Sequence, residues 1–114
     1  MRLELQAGAA CFNQGEYWEA HEVWEIPWNA AKARGNLETA SYIQGLILLA
    51  AAIHKRRHYN NLIGGQRNYA KALHRLEGND QSALDGFKLE TFKQEVWAAL
   101  ENEHLSPQLP NSLE

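Results

Sequence analysis

Between Ile43 and Ile53 the chain reads IQGLILLAAAI, and Gln44 is the only polar side chain in the run. A helix that is apolar on nearly every side has to be surrounded by other elements, because none of its faces is suited to water. That run limits the fold to arrangements with a buried central helix. Its eleven residues fall well short of the roughly 18 to 20 needed to cross a bilayer, so it is read as a core helix and no membrane partner is expected.

The flanking sequence supplies the surroundings. Apolar residues recur at helical spacing through most of the chain, and no stretch alternates apolar with polar for long enough to make a strand. The spacing predicts a first short helix over about residues 2–12, ended by Asn13 and Gly15. A second opens near Glu16, where an acid suits the helix dipole. Pro27 removes a backbone donor within it, so a kink or an end is expected near Ile26. The central helix takes about 37–58, and a fourth ends near Leu76, its start left open by Gly64 and Gly65. A fifth covers about 89–104, with Phe92, Val96, Trp97 and Leu100 as its stripe. The expected fold class is all-α, one compact bundle of about five helices with a buried central helix. Residues 1–105 are read as the single domain and 106–114, with Pro107 and Pro110, as a frayed tail.

A chain of 114 residues, 45% hydrophobic, has material for one core. Cys11 is its only cysteine, and the start MRLELQAGAACFNQGEYW lacks the basic and apolar regions of a leader. A reducing cytoplasm is therefore the expected compartment. The net charge of -3 hides a segregation: residues 1–38 hold three Lys/Arg and six acids, 39–76 hold six and none, and 77–114 hold two and eight. Oppositely charged helices lying side by side account for this pattern.

The densest group of titratable side chains, YWEAHEVWEIPW at 17–28, sits among tryptophans. On a wheel at about 100° per residue with Tyr17 at zero, Trp24 falls at about 340°, Trp28 at about 20° and His21 at about 40°. Glu25 follows at about 80° and Trp18 at about 100°, with Glu22 at about 140° and Glu19 pointing away at about 200°. Tyr17, Trp24 and Trp28 thus read as core. His21 and Glu25 are i, i+4 neighbours at its edge, where an unpaired polar group costs about 1 to 3 kcal/mol. His54 lies on the same face of the central helix as Ile43, Ile47 and Ala50, so it is the expected partner from across the interface.

Three readings follow. The first is a structural or protein-interaction module in which His21, Glu22, Glu25 and His54 form an interhelical hydrogen-bond network, with a second copy of the chain as one partner. The second is a metal-assisted hydrolase, with His21, Glu25 and His54 as ligands to a divalent metal and Glu22 as general base. Trp18, on the flank, would line a pocket mouth or a dimer contact. The third is anion or nucleic-acid binding by KRRHY (55–59) with Arg67, Lys71 and Arg75 at i, i+4, i+8. Dedicated nucleic-acid domains have a high pI and this chain has 5.9, so the stripe reads first as a solvated face. No phosphate-loop, dinucleotide-binding or zinc-finger spacing is present.

FNQGEYWEAHEVWE (12–25) followed by QGLILLAAAIHKRR (44–57) resembles the bacterial and archaeal domain of unknown function 309 family, over roughly residues 8–100. The resemblance implies a small all-helical bundle. It places shared polar positions at Glu19, His21, Glu22, Glu25, Gln44 and His54, with Asn61 and Gly64 after them, and makes Trp18, Gln44 and Asn61 further pocket candidates. Leu48 stands where many members carry glutamine, and the segment from His54 to Asn61 is longer than usual. The family name carries no activity, so fold is what the resemblance supplies.

Overall fold

The computed structural model describes residues 1–110. Five helices follow one another: α1 (Leu3–Asn13), α2 (Tyr17–Ala33), α3 (Leu37–His58), α4 (Leu62–Leu76) and α5 (Leu89–Glu101), with no strand among the described residues. α3 is the hub, packed against α2, α4 and α5, while α1 packs on α2. Over its full length α3 is long and apolar enough to cross a bilayer by length and composition, but 61% of its most apolar window is buried inside this bundle. The all-α fold with a buried central helix is thus the one the apolar run demands.

The turns that join the first three helices are built alike. At the end of α1, Gly15 adopts φ 80°, with Gly15 N–H bonded to Phe12 O at 3.0 Å and Glu16 N–H to Cys11 O at 2.9 Å. At the end of α2, Gly35 adopts φ 74°, with Gly35 N–H on Lys32 O at 3.0 Å and Asn36 N–H on Ala31 O at 2.9 Å. This crossed pair satisfies carbonyls left open at a helix end, and the left-handed residue it requires is cheapest as glycine. Such short turns fold α2 back along α3, bringing Tyr17 and Trp18 beside Arg57 and His54.

Trp24 anchors α2. Its side chain is fully buried and its indole N–H donates to Leu5 O at 3.1 Å. A Cβ at Gly8 would lie 2.3 Å from Trp24 Nε1, so only a glycine leaves room for the ring against α1. Phe12 extends this cluster to Tyr17 (5.0 Å between centroids) and Phe92 (5.5 Å). The same device recurs on α3, where a Cβ at Gly45 would lie 2.4 Å from Leu76 Cγ.

α2 does not end at Pro27 and continues to Ala33; Trp24, Pro27 and Ala31 are all buried, and their packing outweighs one lost hydrogen bond. Two boundaries depart from expectation. α5 ends at Glu101, short of the expected 104. Residues 106–110, read as a frayed tail, lie on the end of α1. There Asn13 donates to Leu109 O at 2.8 Å and accepts from Leu109 N–H at 2.7 Å, and Leu109 is buried. The remainder of that tail, 111–114, lies outside the described residues.

Gly8→Ala should cost about 1 to 3 kcal/mol through overpacking against Trp24, measured as a lower urea midpoint at unchanged slope. Wild-type stability in that variant would show that the indole is not held by the close approach at Gly8.

Candidate functional site

Where the start of α2 meets the end of α3, five rings touch in series. The Trp18 indole stacks on His21 (4.6 Å between centroids, 23° between planes) and meets His54 at 5.2 Å and 37°. His54 in turn stacks on His58 at 4.9 Å and 12°. Tyr59 closes the row edge-on, 5.7 Å from His54 and 4.7 Å from His58. The i, i+3 spacing of Trp18 and His21 and the i, i+4 spacing of His54 and His58 put each pair on one helix face.

These rings are only half covered. Trp18 is 46% exposed and Tyr59 62% exposed. With Gly15, Glu16, Tyr17 and Glu19 they line a cleft of ≈ 580 Å³. An adjoining depression of ≈ 420 Å³ shares Gly15, Tyr17, His54 and His58 and is bounded by Arg57. Arg57 is held in place: it donates to Tyr17 Oη at 3.2 Å and to the carbonyls of Ala99, Asn102 and Leu105 beyond α5's core face.

The residues singled out from the sequence divide. Trp18 and His54 line the cleft. His21 lies against Trp18, and its Nδ1 is 3.5 Å from Glu25 Oε1. That nitrogen is also buried without a hydrogen bond, so the contact is a loose charge approach and not a formed bond. Glu22 is exposed and does not line the cleft. Gln44 is ten residues before His54 on α3, roughly 15 Å along the axis. Asn61 caps α4, accepting from Gly64 N–H at 2.8 Å. Its neighbour Gly64 has a spatial role too, since a Cβ there would lie 2.7 Å from Asn61 Nδ2. Arg67, Lys71 and Arg75 are all exposed on α4.

Contact between α2 and α3 here is made by rings. His21, Glu22, Glu25 and His54 make no side-chain hydrogen bond with one another across the interface, and no group of three or more His, Cys, Asp or Glu among the described residues could hold a metal ion. His54 is instead occupied by Trp18 and His58. The sequence does not by itself group Glu16, Glu19, His58 and Tyr59 with Trp18 and His54. Glu19 was placed outward because a wheel reports direction about the helix's own axis only. α3 reaches past the first turn of α2, and its end supplies the second wall. The His54/His58 spacing was the one signal for that wall in the sequence.

Burial holds the His54 pKa below its ordinary 6.5, the neighbouring His58 lowers it further, and Glu19 opposes them. The folded state therefore favours neutral His54. The unfolded chain takes up the proton first, so the associated stability is whole above pH 6.5 and is lost as pH falls through the lower folded value. Unfolding free energy measured by urea at a series of pH values should fall on acidification through this window, and His54→Gln should flatten the slope. An unchanged slope in that variant would mean that His54 is not the titrating group.

No curated protein and no solved structure matches the chain. The family described as Domain of unknown function (DUF309) matches over residues 5–68, which takes in α1, α2, α3 and the start of α4 and hence all of the cleft from Gly15 to Tyr59. That span is more than half of the chain, which belongs to this family.

Proposed function

We propose that the chain is a small helical interaction module that docks a protein partner in the cleft between the start of α2 and the end of α3. The observation that carries this reading is the exposure of Trp18 and Tyr59, at 46% and 62%, beside an open cleft of ≈ 580 Å³. Large aromatics concentrate binding energy at interfaces because they bury much area for few frozen torsions. A depression of ≈ 630 Å³ between the end of α4 and the start of α5 is larger, but its charged groups have partners: Lys93 pairs with Glu90 at 2.5 Å and Asp80 accepts from Ser82. Size alone does not make it the better site.

A photo-reactive residue at Gln14, beside the cleft, should give a dominant crosslinked partner in cells. One at Leu37, exposed at the opposite end of α3, should not. Trp18→Ala should abolish the adduct while costing about 1 to 2 kcal/mol of stability, as the ring is half exposed. Equal crosslinking from both positions, or an adduct that survives loss of the indole, would sink the docking reading.

One observation favours a second reading, metal-assisted hydrolysis. His21 Nδ1 is buried without a hydrogen bond 3.5 Å from a Glu25 oxygen, and a cation there would satisfy both. Elemental analysis of untagged protein, before and after incubation with zinc or manganese, separates the two. The docking module should hold no stoichiometric metal. About one metal per chain, lost in His21→Ala, would transfer the assignment to the hydrolase.

A further inference from the structure

Glu16 and Glu19 enter the cleft from the α1–α2 turn and the first turn of α2, and neither forms an ion pair among the described residues. Two carboxylates at a helix start offset the positive end of its dipole, so they disfavour an anionic ligand and favour a cation. The chain's own cations already rest on rings of this cleft: Lys55 Nζ sits 5.3 Å from the Tyr59 centroid, and Arg57 lies over Tyr17 while donating to its hydroxyl and to three carbonyls. Facing the carboxylates is flat ring surface, with His58 exposed and Tyr59 62% exposed. A guanidinium is planar, stacks on rings and presents paired donors to carboxylates, whereas a compact ammonium does not stack.

Building on the docking reading, we infer that the cleft receives an arginine side chain of the partner protein, stacked on the His58 and Tyr59 rings and paired with Glu16 and Glu19. The chain already contains the same chemistry in miniature: Arg57 Cζ lies 5.7 Å from the Tyr17 centroid and its N–H reaches the Tyr17 hydroxyl. The charged and titratable groups around His54 are Glu19 and His21 on α2, Lys55 and His58 on α3, and Glu16 and Tyr59 at the cleft rim, with Arg57 on the adjoining side.

Titrating N-acetyl-arginine amide into isotope-labelled full chain, with the Trp18 indole signal assigned through Trp18→Phe, tests this directly. A saturable shift with Kd of about millimolar order is expected at about pH 7.5. N-acetyl-lysine amide should bind more weakly. Glu16→Gln with Glu19→Gln should weaken binding about tenfold with only a small fall in melting temperature, since both side chains are exposed and lose only their interaction with the helix dipole. His58→Phe keeps a stacking face, so binding should persist. A stronger response to N-acetyl-glutamate amide or phosphate, or wild-type binding by the double glutamine variant, would overturn the inference. If a Trp18-dependent partner is crosslinked from Gln14 while the arginine probe is silent, docking stands and the arginine assignment falls.

Discussion

The seat of Trp24 on α1 is the contact from which the rest of this structure follows. A fully buried indole whose N–H reaches Leu5 O, in space left by Gly8, fixes α2 against rotation about its own axis. Trp18 is six residues earlier, about 120° around the helix, so once Trp24 points into the core Trp18 must lie on the flank. The aromatic that organises the fold thereby sets the direction of the aromatic that opens to solvent. Tyr17, held between Phe12 and Arg57, locks the first turn of α2 to both α1 and α3.

Histidines at a helix interface would ordinarily be tied by hydrogen bonds to carboxylates, and His21 beside Glu25 looks in sequence like such a pair. Their approach of 3.5 Å without hydrogen-bond geometry shows that packing against Trp18 takes precedence over the local i, i+4 pairing. Stacked rings tolerate a change of charge differently from hydrogen bonds: a first imidazolium beside an indole is acceptable, but a second beside it is repelled. His54, desolvated and next to His58, is the member of the row on which protonation weighs most.

The other end of the bundle shows how far from a helix its stabilising partner can come. Asp85 is fully buried in the turn before α5, and it accepts from the backbone N–H of Arg2 at 2.8 Å and from its Nε at 3.0 Å. Desolvation, with the Asp85 charge second, raises the Tyr42 pKa far above the usual phenol range. No local pattern links residues 2, 42 and 85. The docking of Leu109 on Asn13 is of the same kind, and it keeps the segment after α5 against the bundle although its two prolines forbid a helix.

What the sequence determined by itself is everything that depends on period and on local backbone chemistry. The apolar run at 43–53 required a surrounded helix, and Asn13 with Gly15 marked the end of the first one, where Gly15 takes a left-handed conformation. The core assignment of Tyr17 and Trp24 and the placing of His54 toward α2 were legible because hydrophobic burial acts on one face of a helix at a time. Tertiary structure alone decided that α2 runs through Pro27, that Glu22 stays in solvent, and that Glu16, Glu19, His58 and Tyr59 complete the cleft. Those outcomes depend on where the end of one helix falls beside the start of another. That register is set by turn length and by the close approaches at Gly8 and Gly45, which a single helix's periodicity does not encode.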